Sequence, residues 1–203
     1  MLDNQINETI KNYPDALRIA WCGASNPAGE VEARKWISQI IAHLNGSNIL
    51  MITGGTKDGI PGMVIDESRK ASIPVIGILP VRGLKYIHPN LNGHIVVPPI
   101  YGRSEWGDES PVLVKLAHVI IVIGGGWGTV IEMASAFKAN ISRIRNGETP
   151  IKVVPIILGK EPADFQSSFL EYDLARISLP PIKITSPYRV AEYIVSLTST
   201  VQR

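Results

Sequence analysis

The sequence predicts an α/β fold in which a doubly wound parallel sheet lies between two layers of helices. Short apolar runs rich in Ile, Val and Leu alternate with longer helical stretches along the chain. The runs are almost continuously apolar, and strands that are buried on both faces have this composition. Because alternating strands and helices form parallel sheets, we expect a three-layer, Rossmann-like domain. Such sheets bind ligands beyond the carboxyl ends of their strands.

Six apolar runs are the predicted strands of this sheet: residues 18–23, 49–54, 74–79, 95–97, 118–124 and 153–158. Apolar residues at helical spacing, together with end signals, predict five helices: residues 30–44, 61–71, 111–117, 129–145 and 186–197. Residues 81–109 form the longest irregular region, and long ordered loops are often functional.

The length of 203 residues predicts one domain, which we assign to residues 18–203. Residues 1–17 are then an N-terminal extension. Within it, residues 3–11 are either a short helix for oligomer contacts or disordered.

The net charge of +2, with no run of Lys and Arg, argues against nucleic acid or a membrane surface as a partner. The apolar runs are too short to span a bilayer. The polar N-terminus has no signal-peptide core, so we expect a cytoplasmic protein.

Cysteine and histidine usage predicts neither a metal site nor a resident cofactor. Cys22 is the single cysteine, which excludes an internal disulfide and a thiolate metal cluster. Its position at a strand end is more typical of a small buried apolar residue than of a nucleophile. The four histidines show no metal-ligand spacing: His43, His88, His94 and His118.

Glycine-rich loops follow three of the predicted strands. They read WCGASNPAG at residues 21–29, TGGTKDGIPG at residues 53–62 and GGGWGTVIE at residues 124–132. Glycine lets a ligand approach the backbone closely, and a helix N-terminus offers N–H groups and the positive end of its dipole. One such loop is explained by a tight turn, whereas three on one sheet favour a shared anion site, most naturally for phosphate.

The loops differ from two common nucleotide-binding motifs. Gly54 and Gly59 have Walker A spacing, but Ile60 and Pro61 replace the required Lys and Ser/Thr, so a P-loop ATPase is excluded. In the third loop, Thr129 occupies the position of the last glycine of GxGxxG, which excludes the usual dinucleotide fingerprint.

Four further side chains have two interpretations each. Glu132 either completes a capping box with Thr129 or points into the cleft, where it would bind a ribose hydroxyl or stabilise an oxocarbenium-like transition state. Trp127 either packs on the strand ends or stacks on a base. Arg82 and Lys85 are read as solvated surface, with contact to an anion as the alternative.

The three loops together resemble the LOG family, the cytokinin-activating phosphoribohydrolases, and the wider SLOG superfamily that includes molybdenum-cofactor carrier proteins. The family's first loop commonly reads CGSS, and residues 22–25 read CGAS. Its second commonly reads GGGxxGLMG, and residues 54–62 read GGTKDGIPG. Its third commonly reads PGGxGTxxE, and residues 124–132 read GGGWGTVIE. The resemblance extends over residues 18–159.

This resemblance implies a Rossmann-like homodimer or higher homo-oligomer that binds a nucleoside monophosphate or a similar small phosphorylated ligand. In the family's hydrolases, the Glu at the position of Glu132 acts with an Arg to cleave the bond between base and ribose 5′-phosphate, so Glu132 is the catalytic candidate. The implied phosphate and nucleotide contacts are Gly23, Ser25, Gly54, Gly55, Thr56, Gly59, Gly125, Gly126, Gly128 and Thr129.

Two departures from the family pattern leave the function open. The family's Arg precedes the third motif, but residues 108–111 read DESP and contain none. Arg103 and Lys115 are the nearest substitutes, and Trp106 is a candidate ligand wall or dimer contact. Gly124 replaces the Pro of PGG, as in the carrier-like branch.

Three hypotheses therefore remain. The first is a phosphoribohydrolase that releases a base and ribose 5-phosphate. The second is a non-catalytic carrier or sensor of a phosphorylated nucleotide or pterin cofactor. The third is a protein that kept the fold and lost the ligand, against which the intact GGGWGT argues.

Overall fold

The computed structural model describes residues 2–25, 27, 29–156, 158, 178–180 and 184–201. In this part of the chain, six parallel strands form one sheet in the order β4-β3-β2-β1-β5-β6. Their bounds are β1 Leu17–Gly23, β2 Ile49–Thr53, β3 Val75–Pro80, β4 Gly93–Val97, β5 Val119–Ile123 and β6 Lys152–Ile156. The predicted fold class, a doubly wound parallel sheet in three layers, is confirmed.

The helices of the described part are α1 Leu2–Ile10, α2 Glu30–Leu44, α3 Gly59–Lys70, α4 Ser110–Leu116, α5 Trp127–Arg145 and α6 Pro187–Val201, with a 3-10 helix at Val81–Tyr86. The bounds of α2 agree with the prediction. Helices α3 and α5 each begin two residues earlier than predicted, because the glycine loops turn into the helix before the first apolar residue of the helical pattern. The end of the last predicted strand, at residue 157, lies outside the described residues.

Both faces of the sheet are covered, which explains why the strands lack in–out alternation. Leu17, Ile19 and Trp21 of β1 pack in a core that includes α2, α3 and α6. Ala20 and Cys22 of the same strand pack on the opposite face, in a core that includes α4 and α5. Successive residues of β1 thus alternate between the two core layers, and both layers require apolar side chains.

The N-terminal segment is helical, which was one of its two predicted states. Ile6 of α1 is buried in the core on the face that carries α4 and α5. Helix α1 lies against β4 of its own chain, and a Cβ at Gly93 would be 3.3 Å from Cγ2 of Thr9. None of the helices described is both long and apolar enough to cross a membrane.

The strand order reverses direction at β1, which pairs with β2 on one side and with β5 on the other. The connections that leave β1 and β5 therefore depart toward opposite faces of the sheet, and a crevice opens between them. The first and third glycine loops follow these two strands, and the second follows β2. The sheet topology thus brings the three loops together at the carboxyl ends of the strands.

Candidate functional site

A cavity of about 450 Å³ lies at the carboxyl ends of the strands, at the point where the strand order reverses. Residues of all three glycine loops line it, together with residues 106, 107, 109 and 110 from the segment before α4. Its volume lies within the roughly 300–1,000 Å³ that small-molecule sites occupy. The location is the one at which open α/β sheets bind their ligands.

The structure brings together nine of the side chains and glycines that the sequence indicated. These lining residues are Gly23, Ser25, Gly54, Thr56, Trp106, Gly126, Gly128, Thr129 and Glu132. Five others do not line the cavity: Gly55, Gly59, Gly125, Arg103 and Lys115.

Two of the glycines outside the lining are required by the packing of the loops. Gly59 has a φ of +65°, and a Cβ there would lie 2.3 Å from the carbonyl oxygen of Ala24. The N–H of Ile60 donates to that same oxygen at 3.1 Å, so the second loop is held against the first. Gly125 has a φ of +110°, and a Cβ there would lie 2.2 Å from Oγ1 of Thr129. These glycines allow the loops to pack closely around the cavity, although they do not line it themselves.

Two glycines of the third loop face open space instead. A Cβ at Gly126 or at Gly128 would meet no heavy atom of the described residues within 4 Å, and neither residue has a positive φ. No clash within the described part of the chain therefore excludes alanine at either position. Gly128 lies inside the first turn of α5, where glycine is less favourable than alanine by about 1 kcal/mol.

The capping-box interpretation of TVIE is wrong. Helix α5 begins at Trp127 with Gly126 as its N-cap, and no side chain caps it. Thr129 is therefore the third residue of the helix, and Glu132 lies beyond the turn whose N–H groups a capping box would satisfy. The N–H of Val130 donates to the carbonyl of Gly126 at 3.2 Å, which fixes this start.

Glu132 pairs with Cys22 instead of with the helix backbone. Cys22, which is 2% exposed, lines the cavity together with Glu132, and the two side chains are near enough for each to shift the pKa of the other. Burial raises the pKa of Glu132 to about 7; the Cys22 thiol opposes this shift, and the negative charge of Glu109 adds to it. Burial also raises the pKa of the Cys22 thiol, and the neighbouring Glu132 raises it further. Cys22 is therefore a protonated donor, not a thiolate.

Glu109 is a second carboxylate of the cavity, and the sequence analysis did not propose it. It precedes the first residue of α4, and its carboxylate accepts the N–H of Gly107 at 2.9 Å. Burial raises the pKa of Glu109, hydrogen bonds from its own N–H and that of Gly107 lower it, and the charge of Asp108 raises it. The signal available in the sequence was its position directly before a predicted helix start, at the carboxyl ends of the strands.

The charged lining of the cavity is acidic. Among the residues that the structure describes, Glu109 and Glu132 are the charged side chains that line it. Arg103 is largely exposed, and its Nε lies 2.6 Å from Oε1 of Glu105. Lys115 is exposed on α4. Neither side chain lines the cavity.

The described part of the chain contains no group of three or more His, Cys, Asp or Glu side chains arranged to hold a metal ion. What the cavity offers chemically is a helix N-terminus with glycines, a buried carboxyl that titrates near neutral pH and two tryptophans at the rim, Trp106 and Trp127.

Solved structures that resemble this fold include two molybdenum-cofactor proteins. The molybdenum cofactor binding protein of Rippkaea orientalis is 20% identical with a TM-score of 0.61, and the match covers 92% of this chain and 96% of that one. The molybdenum cofactor carrier protein of Chlamydomonas reinhardtii is 20% identical with a TM-score of 0.62, and the match covers 93% of this chain and 99% of that one. At these identities the similarity concerns the fold alone.

A third similar structure is that of the structural-genomics target TM1055, which is 22% identical with a TM-score of 0.66, and the match covers 88% of this chain and 98% of that one. None of the curated protein sequences compared with this chain matches it. A family model does match: the model of the SLOG cluster4 family aligns with residues 17–147, a stretch that contains all three glycine loops. The resemblance to the SLOG superfamily is thereby confirmed, and the chain belongs to the SLOG cluster4 family.

Proposed function

We propose that this protein binds a small phosphorylated ligand, a nucleotide or a phosphorylated pterin, and acts as its carrier or sensor. The observation that carries the proposal is the convergence of three glycine loops and the N-terminus of α5 on one cavity. In this proposal the ligand's phosphate lies against the backbone of Gly126, Gly128 and Thr129. The N–H groups of the first helical turn donate to it, and the helix dipole favours its charge.

The open space at Gly126 and Gly128 supports this placement of the phosphate. No atom of the described residues would clash with a side chain at either position. Glycine at position 128 also makes helix α5 less stable than alanine would. A ligand that contacts the backbone there would account for both glycines, because a methyl group would occupy its place.

The acidic lining favours binding over hydrolysis. Cleavage of an N-glycosidic bond by the family's hydrolases uses an Arg beside the Glu, and no Arg or Lys of the described chain lines this cavity. The names of the similar structures add support for a pterin-type ligand, since two of them are molybdenum-cofactor binding or carrier proteins. Glu109 and Glu132 would then accept N–H or O–H groups of the ligand.

The test begins with the purified protein. We expect mass spectrometry of the denatured protein's extract to detect a phosphorylated heterocycle in stoichiometric amount. We also expect calorimetric titration with nucleoside 5′-monophosphates and with a pterin phosphate to show saturable binding by at least one of them. A cavity that yields no ligand and binds no member of the panel would contradict the proposal.

Hydrolysis of a nucleoside 5′-monophosphate is a second candidate, and the pKa of Glu132 favours it. A carboxyl with a pKa of about 7 is partly ionised at neutral pH, so it could stabilise positive charge on the ribose or transfer a proton. Chromatography would detect free base released by the wild type and lost in Glu132→Gln. The absence of base release by a protein that binds the same nucleotides would exclude this activity for them.

We further propose that the protein acts as a homodimer in the cytoplasm. The resemblance to the family is what supports both expectations. Sedimentation equilibrium would measure the oligomeric state, and a monomer at micromolar concentration would contradict the dimer.

A further inference from the structure

A second concave surface adjoins the cavity. It is formed by the 3-10 helix Val81–Tyr86 and by residues 103–106, and it encloses about 730 Å³; we call it the outer basin. Trp106 lines both the cavity and the outer basin. The two spaces therefore share one lining side chain, which places them next to each other.

The two spaces differ in charge. The cavity is lined by two carboxylates. The outer basin is lined by Arg82, Lys85 and Arg103, with Glu105 as its one acidic residue among those described. The side chains that would bind an anionic group thus lie next to the cavity and not inside it. A ligand that occupies both the cavity and the outer basin therefore needs negative charge in addition to that of its first phosphate.

The floor of the outer basin is aromatic and accessible. The rings of Tyr86 and Trp106 have centroids 6.1 Å apart at an angle of 35°. Trp106 is 50% exposed and Tyr86 37% exposed. Exposed aromatic faces beside cations are the usual platform for a nucleobase, because every base has a π-face that stacks on them. Arg82 lies over one face of the Trp106 ring, 5.7 Å from its centroid, and Nζ of Lys85 lies over one face of the Tyr86 ring, 4.9 Å from its centroid.

The outer basin is preformed, since hydrogen bonds tie its two segments together. The N–H of Arg82 donates to Oγ of Ser104 at 3.0 Å. The N–H of Glu105 donates to Oδ2 of Asp108 at 2.9 Å, which holds the turn that carries Trp106. A surface that is already in its binding arrangement loses little conformational entropy when a ligand arrives.

We infer that the ligand of this protein is a pyrophosphate-linked dinucleotide that spans the cavity and the outer basin. This inference rests on the proposed function, which places the first nucleotide in the cavity. The second phosphate lies near Lys85, Arg82 and Arg103, and the second nucleoside stacks on the Tyr86 and Trp106 rings. The charge of the outer basin matches the pyrophosphate, and its aromatic floor matches a base.

Glu105 modulates this site. It forms ion pairs with Arg82 and with Arg103, so the two guanidinium groups are shared between Glu105 and any arriving phosphate. Lys85 forms no ion pair in the described part of the chain and is the cation with the least competition. Removal of the Glu105 charge would leave both arginines to the ligand, and dinucleotide binding would tighten.

The experiment compares matched probes by calorimetric titration of the full chain: AMP against diadenosine 5′,5′-pyrophosphate, and GMP against its guanosine counterpart. We expect a dinucleotide to bind at least about tenfold more tightly than its mononucleotide. Lys85→Gln should lower dinucleotide affinity several-fold and leave mononucleotide affinity unchanged, and Glu105→Gln should raise dinucleotide affinity. The matched control is Lys138→Gln, an exposed lysine of α5 that lines neither space.

Equal affinities for mononucleotide and dinucleotide in the wild type would overturn this inference and leave the proposed function standing. So would an equal loss of both affinities in Lys85→Gln, because that pattern indicates a general effect of charge. A protein that binds neither probe of either base would overturn this inference and count against the nucleotide form of the proposed function. Circular dichroism of each variant shows whether its fold is intact before the titration is interpreted.

Discussion

At the scale of single residues, the glycines of the three loops serve two different purposes. Gly59 and Gly125 are required by the protein itself, because each has a positive φ and a protein atom where its Cβ would stand. Gly126 and Gly128 meet neither condition. The distinction cannot be read from the sequence, where all four are glycines beside a helix start. Gly59 and Gly125 are thus required for the packing of the loops, whereas Gly126 and Gly128 leave space in the cavity that a side chain would fill.

This distinction predicts stability changes of opposite sign for two substitutions. Gly128→Ala should raise the free energy of unfolding by roughly 0.5–1 kcal/mol, because alanine favours the helix, and should weaken nucleotide binding about tenfold. Gly59→Ala should lower the free energy of unfolding by about 1–3 kcal/mol, because alanine is strained at its φ and would collide with Ala24. Urea unfolding and calorimetry measure both effects. Destabilisation by Gly128→Ala would contradict the assignment.

Glu132 is the second residue whose role depends on its surroundings. In the folded chain burial raises its pKa from 4.5 to about 7, so the native state binds a proton more tightly than the unfolded state. The stability that this proton contributes is fully present below the unfolded pKa. It is lost as the pH rises through the folded pKa.

We therefore expect Glu132→Gln to gain stability relative to the wild type as the pH rises from about 5 to about 8. The gain should be of the order of 1–3 kcal/mol, because glutamine stays neutral where the buried carboxylate must ionise. Urea unfolding of both proteins at the two pH values measures it. Glu30→Gln, an exposed glutamate of α2, is the matched control. A difference that does not change with pH would show that the Glu132 carboxyl is solvated.

At the scale of elements, α5 contributes five residues to the cavity lining, and its position depends on a buried amide. Asn140 of α5 is fully buried, and its side chain makes two hydrogen bonds to the backbone of Ile151, just before β6. Its Nδ2 also donates to Oγ of Ser178. The N-terminus of the same helix faces the cavity, so this amide fixes the helix that points at the ligand.

Asn140→Ala should lower the free energy of unfolding by about 2–3 kcal/mol, because it leaves the N–H and the carbonyl of Ile151 buried without these partners. Lys138→Ala, on the exposed face of the same helix, should change it by less than about 0.5 kcal/mol. Urea unfolding compares the two variants. Equal effects would mean that the Asn140 amide contributes no more than an exposed side chain.

At the scale of the whole molecule, the reversal of strand order at β1 makes the site. The loops that follow β1, β2 and β5 meet around the cavity, so a bound ligand contacts segments from both halves of the sheet. A ligand that binds only the folded state stabilises the entire domain through mass action. The cavity and the global stability of the chain are therefore linked.

The tightest-binding member of the nucleotide panel should consequently raise the free energy of unfolding by about 2.7 kcal/mol at a concentration one hundred times its dissociation constant. Thermal unfolding at increasing ligand concentration measures the rise, and Gly128→Ala should require a higher concentration for the same shift. A melting temperature that does not respond to a ligand with measured affinity would mean that the ligand binds the unfolded chain as well.

The sequence by itself determined the features that depend on local patterns. Continuous apolar runs are typical of strands covered on both faces, and alternation with helices restricts the sheet to parallel connections. These facts predicted the fold class, the positions of most elements to within about two residues, and the carboxyl ends of the strands as the place where the three loops meet. The loop motifs predicted the SLOG superfamily, because glycine spacing is itself a local pattern.

Only the tertiary structure decided which of the predicted residues share a surface and what their environment is. The pairing of Cys22 with Glu132 and the ion pair of Arg82 with Glu105 join segments that are far apart in the chain, and the fold places Glu109 in the lining of the cavity. The start of α5 at Trp127 likewise displaced the capping box that TVIE suggested. Burial and distance set hydrogen bonds and pKa values, and both arise only when the sheet has brought distant segments together.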